Sequence, residues 1–263
     1  VAALELTGRR RAIVLGASNV SRGLSRLAAV VRGRAGGPAD LFVAAGHGRA
    51  YGVTSRVWLR RLPSILASGI WDALGGEPRL AAIPSNALVT DVGNELLYGF
   101  GPDQVAAWVR ACVRRLADRD CRIAITGLPL ASIAGVGEVR LRLLKNVFVP
   151  GCRLTLGELH DSAARLDELL RDVARECGAV VIEQPGAWYG FDAIHVRRRR
   201  LDDLWHAACD AWGWEPAAMP ARATLRDWAA LHTRAAEVRA IGRVMLHTPQ
   251  PTFSTAGLRV WLH

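Results

Sequence analysis

The stretch Arg11-Ala12-Ile13-Val14-Leu15-Gly16-Ala17-Ser18-Asn19-Val20-Ser21 decides the fold. Arg11 to Leu15 is short and apolar and ends at a glycine, which predicts a buried strand rather than a helix. Ser21 to Arg32 follows with Leu24, Leu27, Ala28 and Val31 at helical spacing. A buried strand that turns sharply into an amphipathic helix is the opening of a βαβ unit.

The pattern repeats outward from there. Strands are predicted at Asp40 to Ala45, Asn86 to Val92, Cys121 to Thr126 and Ala179 to Glu183. Helices are predicted at Ser55 to Ser68 (kinked or broken at Pro63), Pro102 to Asp118, Leu154 to Cys177 and Arg198 to Trp212. Alternation of this kind implies an α/β fold: three αβα layers around a flavodoxin-like parallel sheet of about five strands. Open parallel sheets bind ligands beyond the carboxyl ends of their strands. That rule selects the loops 16–21, 46–52, 93–98 and 128–129.

Past Trp214 the composition changes, with Pro216 and Pro220 marking a linker. Leu225 to Ile241 is predicted as a helix, and Pro251 to Leu262 as a hairpin turning at Ser254 to Gly257. The expected organisation is a main α/β domain over 1–214 and an extension over 215–263 with no obvious chemistry of its own.

Bulk composition excludes several classes. No apolar run approaches the ~20 residues a membrane span needs. The five cysteines form no Cys-x-x-Cys pair, so reduced thiols are expected in place of a zinc site or disulfide framework. With no secretory signal visible, the chain is expected to be cytoplasmic. The net charge of +10 comes almost wholly from scattered arginines, with Arg197 to Arg200 the one dense run. That distribution does not make the basic face a nucleic-acid partner requires.

Four segments carry the chemistry. They are Ile13-Val14-Leu15-Gly16-Ala17-Ser18-Asn19, Ala45-Gly46-His47-Gly48-Arg49-Ala50, Thr90-Asp91-Val92-Gly93-Asn94-Glu95 and Phe191-Asp192-Ala193-Ile194-His195. Each follows a predicted strand or closes the domain. Ser18 would stand at the rim of the sheet as a nucleophile, and an imidazole is the natural base near neutral pH. Asp192, three residues before His195, can reach a ring nitrogen within one turn and fix the tautomer.

These four segments, in this order, resemble the sequence blocks of the SGNH (GDSL-type) hydrolases over about Ala12 to Trp212. The resemblance implies a serine esterase with Ser18, Asp192 and His195 as its triad. It implies an oxyanion hole of the Ser18 N–H, the Gly48 N–H and the Asn94 amide. The substrate would be a small-molecule ester, with no cofactor and no metal. Two departures stand out. Ala17 replaces the family's Asp between Gly and Ser, and either Asn19 or Asp91 could fill the gap. Asn94 is followed by Glu95 where the family has Asp. Gly46 competes with Gly48, which is favoured because Gly48-Arg49-Ala50 resembles the Gly-Arg-Ser of the family's carbohydrate acetylesterases.

Other roles stay open. Ser18 also fits a helix cap, and Asn94 a turn residue. His47, Arg49, Trp188 and Tyr189 are candidates for the substrate pocket, with Phe191 beside them. The aromatic residues suit loop anchoring equally, and His47 and Arg49 suit surface solvation. No long apolar lid separates the blocks, which favours short acyl groups. The rival functions are a non-catalytic binding or scaffold domain on the same fold, and an acyltransferase using the same residues. A short-chain dehydrogenase is a weaker rival: it needs a Tyr four residues before a Lys, and Leu141 precedes the sole lysine, Lys145.

Overall fold

The computed structural model describes residues 8–57, 59–76, 83–149, 152–217, 222–233 and 236–263. Strand β1 (Arg10–Leu15) runs into helix α1 (Ser18–Arg34) and then β2 (Ala39–Ala44). A small hairpin follows, β3 (Ser55–Val57) and β4 (Arg60–Leu62), and then the short helix α2 (Ile70–Gly75). Strand β5 (Ser85–Val89) precedes α3 (Asn94–Leu97) and α4 (Pro102–Ala117). Next come β6 (Arg122–Thr126), α5 (Leu130–Ala134), α6 (Glu138–Phe148), α7 (Leu156–Cys177) and β7 (Val180–Ile182). The rest is α8 (Leu201–Ala211), α9 (Leu225–His232), β8 (Val238–Ile241), β9 (Val244–His247), β10 (Phe253–Ser254) and β11 (Leu258–Leu262).

The central sheet has the order β10-β11-β2-β1-β5-β6-β7, and every pairing except β10 with β11 is parallel. Counting only the five parallel strands from β1 to β7, the order is 2-1-3-4-5, the flavodoxin type. Helices cover both faces. Along β1, Ala12 and Val14 point into one core with α1 and α8, while Ile13 and Leu15 point into the other with α4 and α7. This is the period of two expected of a strand buried on both sides. On the first face α1 approaches α8 closely: a Cβ on Gly23 would lie 2.8 Å from the Trp205 ring.

Several expectations are corrected. Among the described residues the sheet has seven strands where about five were expected, because β10 and β11 extend its edge. Residues 251–262 do pair as a hairpin, but β11 also lies parallel to β2. An ion-pair staple fixes this register. Asp40, 1 % exposed at its side chain, receives Arg259 Nε and Nη2 at 2.8 Å each and Arg9 Nη1 at 2.8 Å. The helix expected over Ser55 to Ser68 is the β3–β4 hairpin, which joins β8 and β9 in a second, antiparallel sheet. Pairing with a strand nearly two hundred residues away overrides the local signal, and Pro63 ends the strand region. The helix expected over Leu225 to Ile241 stops at His232, and Val238–Ile241 is that distant strand.

Candidate active site

Ser18 is the first helical residue of α1 and is 6 % exposed. The helix cap is Ala17, whose methyl group can accept no hydrogen bond. Asp91, just past β5, does that work from across the sheet. Its Oδ2 accepts the N–H groups of Ala17 at 2.8 Å, Asn19 at 2.9 Å and Val20 at 3.3 Å. Its Oδ1 takes Asn19 Nδ2 at 2.7 Å. Of these two candidates for replacing the missing Asp, Asp91 is thus the acceptor of the helix amides and Asn19 is one of its donors. Asp91 holds a left-handed backbone, φ 58°, which a short polar side chain tolerates better than most. The Ser18 N–H is the one amide of this turn that Asp91 leaves untouched.

Asn19 has a second task. Its Oδ1 accepts the Val196 N–H at 2.9 Å, and its Nδ2 also reaches the Ile194 carbonyl at 3.4 Å. The loop before α8 is thereby tied to the start of α1. Within that loop Asp192 forms a tight side-chain turn. Its Oδ1 accepts the N–H groups of Ile194 at 3.0 Å and His195 at 3.2 Å, and its Oδ2 accepts His195 Nδ1–H. The three-residue spacing works because one oxygen closes the turn and leaves the other for the ring. Burial works to raise the Asp192 carboxyl. The hydrogen bond and charge of His195, with the amides of Ile194 and His195, outweigh it and hold the group below the usual carboxylate range.

A largely apolar cavity opens beside Ser18. Its lining includes Ser18 and Asn94, and also Ala193 and Ile194, the residues just before His195. Leu128, Ile133, Val136, Leu141 and Ala163 supply the apolar wall. Leu128 is held by a buried carboxylate: Asp167 Oδ1 accepts its N–H at 2.7 Å, and Arg171 Nε neutralises Asp167 Oδ2 at 2.7 Å. The stretch 130–148, in which the sequence suggested no lid, forms α5 and α6, and their apolar side chains line the cavity.

Asn94 opens α3, directly after Gly93 at φ 114°. The neighbouring Glu95 is fully buried and accepts the Tyr51 N–H at 2.6 Å. Burial pushes its carboxyl up, against the amide hydrogen bonds that pull it down. Tyr51 Oη in turn donates to the carbonyls of Leu15 at 3.0 Å and Thr90 at 2.7 Å, which ties the carboxyl ends of β1 and β5 together. Neither Glu95 nor Tyr51 was singled out from sequence as a support. A carboxylate following Asn94 in the block was the only available signal.

The loop after β2 carries Gly48 at φ 68°, a conformation that favours glycine. Tyr98 Oη donates to the Gly48 carbonyl at 3.0 Å and anchors the loop to the end of α3. Gly46 packs against Leu62, where a Cβ would lie 2.3 Å from Cδ1.

Of the pocket candidates, Tyr189 does line the apolar cavity, and its Oη donates to Gln184 Oε1 at 2.5 Å. Trp188 packs on the α1/α8 core, and Phe191 is exposed. Arg49 is in neither the cavity nor the solvent. It is 0 % exposed, and its guanidinium donates to the carbonyls of Pro63 (3.0 Å), Ala45 (3.3 Å) and His263. His47 lies outside the apolar cavity, in a separate, more polar one. Among the described residues no three His, Cys, Asp or Glu side chains gather as metal ligands do. Nor is any described helix long and apolar enough to cross a membrane.

The chain matches no protein-family model and no curated protein. Among solved structures it is similar to the psychrotrophic esterase EstA from Pseudoalteromonas sp., at 12 % identity and TM-score 0.48, over 78 % of this chain and 97 % of that one. It is similar to TesA at 13 % identity and TM-score 0.47, over 77 % and 97 %. It is also similar to the acetyl xylan esterase AlAXEase at 10 % identity and TM-score 0.44, over 76 % and 98 %. Likeness at this level says nothing of what this chain acts on; its own α/β architecture and the Asn19–Asp91–Asp192–His195 network stand apart from it.

Proposed function

We propose that the chain is an SGNH (GDSL-type) hydrolase, an esterase that cleaves carboxylic esters through an acyl-enzyme on Ser18. The observation that carries this reading is the hydrogen-bonded Asp192–His195 pair, whose loop is latched through Val196 and Ile194 to Asn19, the residue beside Ser18. Asp192 holds Nδ1 protonated, which leaves Nε2 as the base. In the first step Ser18 Oγ attacks the ester carbonyl carbon and its proton passes to His195. The tetrahedral intermediate collapses, the C–O bond to the alcohol breaks, and His195 returns the proton to the departing oxygen. Water then attacks the acyl-enzyme with the same imidazole as base, releasing the acid.

The developing oxyanion would be met by the Ser18 N–H, the Gly48 N–H and the Asn94 side-chain amide. The Ser18 N–H is suited to this because Asp91 engages its neighbours and leaves it free of that carboxylate. The apolar cavity that Ser18 and Asn94 line takes the acyl chain, and its walls of Leu, Ile and Val suit medium-length hydrocarbon better than acetate.

The test is labelling with a fluorophosphonate and turnover of p-nitrophenyl esters from acetate to decanoate. Labelling lost in Ser18→Ala and rates rising beyond butyrate support the reading. Turnover retained in Ser18→Ala removes the mechanism. Ala163→Trp, which fills the cavity, should move the optimum to shorter chains.

A further inference from the structure

The turn that carries Asp192 and His195 belongs to no helix or strand, since residues 189–197 are irregular. Its shape therefore depends on the side chains that hold its two ends. Asn19 holds the later end, through Val196 and Ile194. Arg140 of α6 holds the earlier one. Its Nη2 donates to the Gly190 carbonyl at 2.7 Å, and its Nε donates to the Phe191 carbonyl. Its Nη1 donates to the Gly135 carbonyl at 3.1 Å, in the link between α5 and α6. The guanidinium also lies over the Phe191 ring, 5.3 Å from its centroid. A planar fork with donors in fixed directions can meet three carbonyls at once, and a lysine ammonium does not reproduce that geometry.

Apolar packing joins the same two segments. Val136, Leu141 and Ala193 form a small buried cluster, with Leu156 and Leu159 packed against it. Ala193 directly follows Asp192, whereas Val136 and Leu141 come from the α5–α6 segment. Val136, Leu141, Leu159 and Ala193 also line the apolar cavity beside Ser18. One wall of that cavity is thus shared between the α5–α6 segment and the Asp192–His195 turn. Arg140 itself is not among the residues that line it.

We infer that Arg140 is a positioning residue: it fastens the cavity wall to the Asp192–His195 turn, so that an acyl chain in the cavity steadies the base that deacylates it. The inference rests on the esterase reading above. Arg140 acts through the Gly190 and Phe191 carbonyls, from which the turn hangs. The acyl chain adds a second hold, because filling the cavity packs it on Val136, Leu141 and Ala193 together. Small displacements of a base are costly to the rate, so both holds bear on kcat.

The experiment compares Arg140→Ala and Arg140→Lys with the native chain on p-nitrophenyl acetate, butyrate and octanoate. Fluorophosphonate labelling taken to completion counts the competent molecules, so each kcat is expressed per labelled Ser18. In Arg140→Ala, kcat should fall by about tenfold or more on acetate. It should fall clearly less on octanoate, whose chain still packs the shared wall, and KM for octanoate should not rise. Arg140→Lys keeps the charge and loses the fork, so its kcat should move the same way by a smaller factor. That variant also carries the test if Arg140→Ala does not fold. Native kcat per labelled site in the variants overturns the inference and leaves Arg140 a role in folding alone. A loss carried by a higher KM at unchanged kcat overturns it as well. An equal fall on all three esters breaks the link to the acyl chain and also defeats it. A native chain that neither labels nor turns over any ester removes the esterase reading, and this inference with it.

Discussion

The side-chain oxygen of Asn19 accepts the backbone N–H of Val196 at 2.9 Å, across 177 positions of sequence. That bond joins the residue next to Ser18 to the residue next to His195. Neither proposed catalytic group can shift far without breaking it.

Asn19→Ala therefore removes a latch and leaves the proposed reacting groups intact. The Val196 N–H and one Asp91 oxygen lose their partner, at a cost of about 1–3 kcal/mol in stability. Turnover should fall by about tenfold to a hundredfold, since small misplacements of a base are costly. Urea unfolding and p-nitrophenyl octanoate kinetics measure the two effects. Unchanged kcat in the variant would show that the latch is not needed.

Asp91→Ala should weaken α1 from a distance. Three N-terminal amides lose their acceptor, as in the removal of a helix cap, which costs about 1–2 kcal/mol. Asp91→Asn, which keeps one carbonyl oxygen, should lie between Ala and the native chain. Thermal melting of the three proteins ranks them, and an Asn variant less stable than Ala would contradict the capping role.

The Asp192 carboxyl is held below its unfolded value, so its contribution to stability follows a definite sign. It is fully present above the unfolded carboxylate pKa, near 3.9, and is lost as pH falls through the lower folded value. The stability gap between the native chain and Asp192→Asn should be constant at neutral pH and close below about pH 4. In the same variant kcat should drop by up to about ten thousandfold, because an amide holds the ring in the wrong tautomer. Denaturation curves at stepped pH, with rates at neutral pH, check both. A gap that widens in acid reverses the sign and defeats the assignment.

Arg49 offers a different contrast. Its guanidinium serves the carbonyls of Pro63, Ala45 and His263 in the core and lies outside the apolar cavity. Arg49→Ala leaves a void and unpaired carbonyls, so it should destabilise by about 3 kcal/mol or more. Activity per folded molecule, counted by fluorophosphonate labelling, should hold. A large change in KM at full folding would restore Arg49 to substrate contact.

The parallel core was legible because four of the five expected strands were short apolar blocks ended by Gly, and α4 and α7 carried clean helical stripes. The Asp192–His195 pair was legible for a local reason: a turn of three residues fixes it. Arg49 was misread because a lone arginine after Gly46-His47-Gly48 carries no mark of burial, and one of its three acceptors, the His263 carbonyl, lies 214 positions away. The β3–β4 hairpin, expected as part of a helix over Ser55 to Ser68, was misread for a related reason. Its partner strand, Val238–Ile241, lies far along the sequence and pairs through the backbone, which leaves little trace in side-chain pattern. The role of Asp91 was half visible: the missing Asp at position 17 demanded a substitute, and only the fold could show which side chain reached the amides.

The pairing of β11 with β2 carries a consequence for biogenesis. On the ribosome, β1, β2 and α1 emerge long before Leu258–Leu262 is made. Until then β2 presents a bare, hydrophobic edge, and the Asp40 carboxylate waits for Arg259. Contacts this far apart in sequence close slowly, and open strand edges invite pairing with other chains. Nascent or truncated chains lacking that strand should stick to one another and engage chaperones, however well the remaining βαβ units have formed.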